Sequence, residues 1–140
     1  MPERATVRWL RHDADLRLRL RAPDPESLFL AAARAVVAAS VEGTLSGTDR
    51  RRVALSEPDR ESLLVAWLNE ILYLVSSGGF LPAGVEGLRL GGGDLSAELI
   101  GGPPDPSRHR FLREIKAATF HDLSVVKTGS VWSATVLFDV

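Results

Sequence analysis

Leucine and arginine alternate strictly in one stretch of this chain, Leu16-Arg17-Leu18-Arg19-Leu20-Arg21. Successive side chains of a β-strand point to opposite faces, so a period of two predicts a strand with one buried and one solvated face. A helix would not place these leucines together, because neighbours on a helix surface are three and four residues apart. The stretch therefore predicts a sheet that is covered on one side.

Two helices are predicted to form the covering layer. The first begins at an Asp-Pro-Glu run, with Asp24 as its cap, and small apolar residues then recur at helical spacing to about Val41. The second opens at Asp59 and carries a wide apolar stripe over residues 63–75. A glycine pair at 78–79 is typical of a helix end.

The rest of the chain is strand-like, with turn residues between the segments. The predicted strands are Arg52–Ser56, Gly84–Leu90, Asp94–Ile100, Glu114–Phe120, Leu123–Lys127 and Val131–Val140. This order predicts an α+β fold, a two-layer sandwich in which a mostly antiparallel sheet has two helices packed on one face. We expect residues 1–140 to form a single domain.

Composition excludes several classes of function. The chain has no cysteine, which excludes disulfides, thiolate metal sites and a cysteine nucleophile. No apolar run approaches the ~20 residues of a membrane span, and the first residues lack a signal-peptide core, so we expect a cytoplasmic protein without membrane contact. The formal net charge of -1 argues against a protein that mainly grips the backbone of DNA or RNA.

Two aspartates are candidate metal ligands. Strand alternation places Asp15 and Asp139 on the non-core face, and they converge if their strands are neighbours. Converging carboxylates repel each other unless a cation lies between them, and oxygen ligands suit Ca²⁺ or Mg²⁺. A backbone oxygen at Val140 would lie nearby. The alternative is that both aspartates are solvated residues at strand ends.

Other candidates are weaker. Arg17 and Arg19 share the face of Asp15 and could contact phosphate or an acidic partner, although arginine stems more often simply cover apolar surface. His121 and Asp122 could form an acid–base pair, but neighbours on a strand face opposite ways, and a structural histidine is the commoner case. We find no activated nucleophile and no known catalytic motif.

Four segments together resemble the archease family over nearly the whole chain. The residues His12-Asp13-Ala14-Asp15 are similar to its His-Thr-Ala-Asp signature, and residues 63–73, Leu-Leu-Val-Ala-Trp-Leu-Asn-Glu-Ile-Leu-Tyr, to its most specific helix motif. Residues 116–121 resemble its Lys-Ala-Val-Thr-Tyr-His strand, and residues 138–140 its closing Phe-Asp-Ile. Within the helix motif, Trp67, Leu68 and Tyr73 are predicted to pack in the core, with Asn69 and Glu70 on the more polar side.

The resemblance implies a divalent cation, usually Ca²⁺, with Mg²⁺ or Mn²⁺ as alternatives. Its ligands would be Asp15, Asp139 and the main-chain carbonyl of Val140. His12 and Asp13, the latter in place of the family's threonine, are further candidate ligands beside them.

The resemblance also implies an accessory protein rather than an enzyme. Its expected role is to promote guanylylation and multiple turnover of an RtcB-type RNA ligase in tRNA splicing and RNA repair. RNA would then be reached only through the ligase. The candidate contacts with this partner are Lys116, His121, Arg17 and Arg19.

Two other functions are consistent with the same residues. A metal-dependent hydrolase could use the carboxylates of Asp13, Asp15 and Asp139 together with His121. An RNA-binding module could place the arginine stripe on phosphates, but the near-neutral charge and the lack of an aromatic stacking platform count against it. Two departures from the family pattern, Asp122 in place of glycine and Phe120 in place of tyrosine, lie beside His121.

Overall fold

The computed structural model of the protein describes residues 4–12 and 15–140. Within these ranges it contains two helices and nine strands, and all neighbouring strands are antiparallel. In chain order the elements are β1 (Thr6–His12), β2 (Asp15–Ala22), α1 (Pro25–Ser40), β3 (Val41–Glu42), β4 (Asp49–Ser56), α2 (Arg60–Ser76), β5 (Leu81–Leu90), β6 (Asp94–Gly102), β7 (Arg110–Phe111), β8 (Ala117–Thr128) and β9 (Val131–Asp139). The predicted α+β class is confirmed.

The strands form more than one sheet. A four-stranded sheet has the order β1-β2-β9-β8, a three-stranded sheet has the order β4-β6-β5, and β3 pairs with β7 over two residues. Both helices pack on the core face of the four-stranded sheet, α1 against β2 and β9 and α2 against β8, and both also contact β5. None of the described helices is long and apolar enough to cross a membrane.

The strand β2 shows the predicted alternation. Its three leucines are buried, at most 7% exposed, while the arginines between them lie on the other face. On β9, Ala134, Val136 and Phe138 are the register partners of these leucines and are equally buried. The two central strands of this sheet therefore supply a continuous apolar surface to the helices.

Both helices begin where the sequence predicts. Asp24 caps α1 and accepts a hydrogen bond from the backbone N–H of Ser27 at 2.7 Å, with a proline following the cap. Asp59 caps α2 in the same way, accepting from the N–H of Ser62 at 2.7 Å. Hydrogen bonding from Ser62, first from its backbone N–H and then from its side chain, lowers the pKa of the Asp59 carboxyl. After α2, Gly79 has a φ of 66°, the left-handed conformation that favours glycine.

The α2 motif belongs to the core only in part. Trp67 is fully buried, and its indole N–H donates to the carbonyl of Phe29 at 3.0 Å, which joins the two helices. The prediction that Tyr73 packs in the core is wrong: its side chain is 58% exposed. It lies one helical turn from Asn69, on the side that faces away from the apolar stripe.

Three strands were absent from the sequence prediction: β1, β3 and β7. Two predicted strands, Glu114–Phe120 and Leu123–Lys127, prove to be one long strand, β8. Its pairing with β9 is interrupted between Thr119 and Ser124, so the predicted turn is an irregularity inside one strand. This irregularity lies beside the candidate functional site.

Candidate functional site

Asp15 and Asp139 are direct register partners on β2 and β9. Residues that lie opposite each other in an antiparallel pair project on the same face, and the neighbouring pair, Leu16 with Phe138, faces the core. The two carboxylates therefore lie together on the outer face. Asp15 is half-buried and Asp139 is exposed. The predicted convergence of these two residues is present in the fold.

The hydrogen-bond alternation of the ladder shows how close the two aspartates are. Asn69 bonds both backbone groups of Ala118, which therefore point away from β9. Hydrogen-bonded and non-hydrogen-bonded pairs alternate along and across the sheet, so Asp15–Asp139 belongs to the closely spaced type, with Cα atoms about 4.5 Å apart. Their Cβ atoms are then on the order of 5 Å apart. One cation could contact both carboxylates.

The end of β9 carries two main-chain carbonyls next to this pair in the chain, those of Asp139 and Val140. The carbonyl of Asp139 accepts a hydrogen bond from the backbone N–H of Lys116 at 2.8 Å. This bond holds Lys116, whose side chain is exposed, next to the aspartate row. Val140 follows directly and is 38% exposed. The Val140 carbonyl belongs to the same end of the sheet.

These donors fit a hard divalent cation. Facing carboxylates at this spacing repel each other when both are ionised, and a cation between them removes that repulsion. Carboxylate and carbonyl oxygens are the ligands of Ca²⁺ and Mg²⁺. Among residues 4–12 and 15–140, no three histidine, cysteine, aspartate or glutamate residues are grouped as a metal cluster. Two carboxylates are therefore the acidic ligands that the described residues offer.

Two further ligand candidates precede Asp15 in the chain. His12 is the register partner of Asp15 on the β1 side, so its backbone belongs to the same row. Asp13 lies outside the described residues. Its role as a further ligand stays a prediction.

A second polar cluster adjoins the aspartate row. Arg17 lies two residues after Asp15 on the same face, and its Nη2 is 3.6 Å from Oδ2 of Asp122. The same Oδ2 is 3.5 Å from Nε2 of His121. Leu137, the register partner of Arg17, is 5% exposed although it lies on the outer face. The Arg17–Asp122 ion pair links the irregular part of β8 to this row.

The contact between His121 and Asp122 differs from the sequence expectation. Neighbours in a regular strand would face opposite ways, but Asp122 has a φ of 52°, and among the described residues no other non-glycine residue has a positive φ. That conformation turns its side chain toward both Arg17 and His121. Both side chains are solvated, His121 at 76% exposure, so the pair has the character of a surface contact. The signal in the sequence for this left-handed conformation was Asp122 itself, at a position where glycine is common in the family that the sequence resembles.

Arg19 is not brought to this cluster. Its register partners are Arg8 on β1 and Thr135 on β9, one row further from the aspartates. Arg19 is exposed. Its part in partner binding stays a prediction.

Asn69 is a residue whose role sequence reasoning missed. Its Nδ2 donates to the carbonyl of Ala118 at 3.3 Å, and its Oδ1 accepts from the N–H of Ala118 at 2.7 Å. The amide thus takes the place of a neighbouring strand for β8 and fixes that strand beside β9. An asparagine in the middle of an apolar helix, where its propensity is poor, was the only signal.

Comparisons with known proteins agree with this architecture. Residues 8–140 match a family model described as the Archease protein family (MTH1598/TM1083). Protein archease of Methanosarcina acetivorans is 36% identical over 137 residues, which cover 94% of each chain. Protein archease of Methanosarcina mazei is likewise 36% identical over 137 residues, with 94% of each chain covered.

Solved structures show the same fold. The solution structure of Methanobacterium thermoautotrophicum protein 1598 aligns with a TM-score of 0.78 at 24% identity, covering 96% of this chain and 98% of that one. A crystal structure from Thermotoga maritima, described as an archease and possible chaperone, aligns with a TM-score of 0.66 at 20% identity and covers 94% of both chains. The family model and the sequence relatives together show that this chain belongs to the archease family.

Proposed function

We propose that this protein is a metal-dependent accessory factor, not a free-standing enzyme, that promotes guanylylation and multiple turnover of an RtcB-type RNA ligase. It would act in the cytoplasm, in tRNA splicing and RNA repair, and reach RNA through the ligase. The observation that carries the proposal is the direct pairing of Asp15 with Asp139 on a solvent-accessible sheet face. Membership of the archease family supports it.

In this proposal Asp15, Asp139 and the Val140 carbonyl hold a divalent cation, Ca²⁺ in preference to Mg²⁺ or Mn²⁺. Bound there, the cation would supply positive charge and vacant coordination positions. Ca²⁺ takes 6–8 oxygen ligands, more than this set provides. The remaining positions are open to water or to an acidic ligand from the ligase, which couples metal binding to docking.

The neighbouring side chains have distinct tasks in this proposal. Lys116 and Arg17 supply positive charge next to the metal row, directed at the ligase or at its nucleotide. Asp122 orients Arg17 through the ion pair and keeps His121 at the rim of the site. Arg19 extends the basic surface toward β1.

The test is multiple-turnover RNA ligation by the cognate ligase with substoichiometric amounts of this protein. We expect stimulation by wild type and its loss in Asp15→Asn and Asp139→Asn, both of which keep the shape of the side chain. Asp49→Asn is the matched control, an exposed aspartate that begins β4 in the three-stranded sheet. Calcium titration calorimetry on the same variants measures metal affinity independently of the ligase.

Three results would count against the proposal. Full stimulation by both folded aspartate variants would remove the metal row from the mechanism. No stimulation by folded wild type in the presence of calcium would remove the accessory role. Hydrolysis of a model phosphodiester by this protein alone would instead favour the metal-dependent hydrolase.

A further inference from the structure

The two edge strands of the four-stranded sheet, β1 and β8, differ in what their outward backbone groups bond. At the β8 edge, Asn69 bonds both backbone groups of Ala118. At the other edge, β1 pairs with β2 over seven residues without a bulge, and no described strand pairs with its outer side. A regular, unpaired edge is a template for another strand.

The backbone groups that face outward on β1 can be identified. Ala118–Phe138 is a non-hydrogen-bonded pair, so Phe138 bonds with Leu16 of β2, and Leu16 is in turn the non-hydrogen-bonded partner of Arg11. The N–H and C=O groups of Arg11 therefore point away from the sheet. By the same alternation, so do those of Trp9 and Val7.

A groove lies at the first stretch of chain that leads into this open edge, beside Val7. It has a volume of about 670 Å³ and lies between residues 4–7, at the start of β1, and one face of α1. Its walls are mostly apolar, and the residues that line it include Val7, Leu30, Ala31, Ala35 and Ala38. From Ser27 to Ala38 the α1 wall is roughly 16 Å long. We call this cavity the β1 groove.

An added strand would use both features at once. The side chain of Val7 lines the groove and is 46% exposed, and its backbone groups point to the open edge. A strand paired to β1 would direct alternate side chains into the same groove. The alanines of α1 leave room for them, because a methyl group allows close approach.

The charge of the groove indicates the chemistry of its occupant. The charged residues that line it are Arg4 and Arg34, both arginines and both exposed. Arginine binds carboxylates through two parallel hydrogen bonds. The groove therefore favours acidic side chains among apolar ones.

We propose that β1 and the β1 groove bind an extended segment of a partner protein by addition of a strand to the sheet. The residues of this segment that face the groove, every second one along the strand, are apolar and acidic in turn. The apolar residues contact the floor, and the carboxylates pair with Arg4 and Arg34. The groove lies on the helix side of the sheet, whereas Asp15 and Asp139 face the opposite side. The inference therefore does not rest on the metal row.

The experiment uses a fluorescein-labelled peptide of repeating Val-Ser-Glu-Ser, in which valine and glutamate lie on the same face of a strand. A peptide with lysine in place of glutamate is its counterpart. Saturating glutamate peptide should slow amide hydrogen exchange at Val7, Trp9 and Arg11, and leave Arg8 and Leu10, which already face β2, unchanged. This alternating protection is specific to strand addition. Protection of all five amides, or of none, would overturn the proposal.

Two variants test the edge and the charge separately by fluorescence anisotropy. Val7→Pro removes an outward N–H and leaves the bonds to β2 in place, so it should abolish binding in a folded protein. Arg34→Glu should weaken binding by about tenfold or more, while Arg89→Glu, an exposed arginine of β5, should not. Equal binding of the lysine peptide, or equal binding by Arg34→Glu, would contradict the acidic occupant.

The remaining outcomes are also decisive. Sedimentation experiments test whether the protein forms dimers. If wild type dimerises, Val7→Pro does not, and no peptide binds, the occupant is a second copy of this chain and the proposal is overturned. Asp15→Asn should bind the peptide as wild type does. If wild type stimulates the ligase but does not bind the peptide, the groove proposal is wrong and the proposed function is unaffected.

Discussion

The two faces of the four-stranded sheet are built from the same strands but do different work. On the core face, Leu18 and its register partner Val136 are both fully buried beneath the helices. On the outer face, Asp15 lies opposite Asp139, and like charges in direct register are unfavourable. One face holds the fold, and the other carries the groups that suit a ligand.

Magnitudes explain why the two faces can coexist. Full burial of one leucine contributes about 1.5–3 kcal/mol, and the core face has several such residues. A cross-strand pair of like charges costs on the order of 0.2–1 kcal/mol. The free energy gained by burial on the core face therefore outweighs the repulsion on the outer face, both in the aspartate pair and between the facing arginines, Arg8 and Arg19.

The largest effect is expected from breaking the core face. Leu18→Ala should lower the free energy of unfolding by about 2–5 kcal/mol, because it leaves a cavity under the helices. Arg19→Ala, the next residue but on the outer face, should change it by about 0.5 kcal/mol or less. Urea unfolding followed by tryptophan fluorescence measures both. Equal losses would show that the two faces are not energetically distinct.

Much of this contrast could be predicted from the sequence. The alternation in β2 and β9 identified both faces, and the caps Asp24 and Asp59 fixed the start of each helix. The pairing of Asp15 with Asp139 followed from alternation once their strands were neighbours. These features depend on local pattern, which a sequence carries.

The rest depends on contacts between distant residues. Asn69 and Ala118 are 49 positions apart, and no local pattern relates them. The strand β1 was missed because it does not alternate cleanly, with Leu10 on the outer face and Arg11 on the core side. The left-handed conformation of Asp122 lies where the pairing of β8 with β9 is interrupted, between Thr119 and Ser124, and the pairing of two strands is likewise a contact between distant residues. How the described strands divide among three sheets is also set by tertiary packing.

The next effect tests what holds the β8 edge. Asn69→Ala should lower the free energy of unfolding by about 1–3 kcal/mol, because it leaves both backbone groups of Ala118 without partners. Amide exchange at Ala118 should become faster than at Val125, deeper in the same strand. Glu70→Ala is the matched control on the same helix. A control loss as large as that of Asn69→Ala would show that the helix, not the amide bonds, is responsible.

Calcium should raise the free energy of unfolding by binding to the aspartate pair on the outer face. At free calcium tenfold above the Kd, wild type should gain about 1.4 kcal/mol in unfolding free energy. The double variant Asp15→Asn/Asp139→Asn should gain nothing, and without calcium it should be at least as stable as wild type, since a like-charge pair is gone. Thermal unfolding with calcium or with a chelator measures both effects. An unchanged wild-type Tm would argue against the metal row.

A smaller effect is expected at Asp122. Its φ of 52° is strained for alanine but not for glycine. Asp122→Ala should therefore be about 1 kcal/mol less stable than Asp122→Gly. Both variants lose the ion pair to Arg17, so their difference isolates the backbone conformation. Identical unfolding curves would mean that this segment relaxes out of the left-handed region.

The smallest effect is expected at the N-terminal cap of α2. Asp59→Asn keeps the capping geometry of α2 and removes the charge. Folding lowers the pKa of the Asp59 carboxyl because the Ser62 N–H bonds its ionised form. The extra stability of wild type over the variant is therefore present above the unfolded pKa, about 3.9, and is lost as the pH falls through the lower folded value. Unfolding curves at pH 7 and near pH 2 should show a difference only at the higher pH. A difference that persists in acid would mean that cap geometry, rather than charge, separates the two proteins.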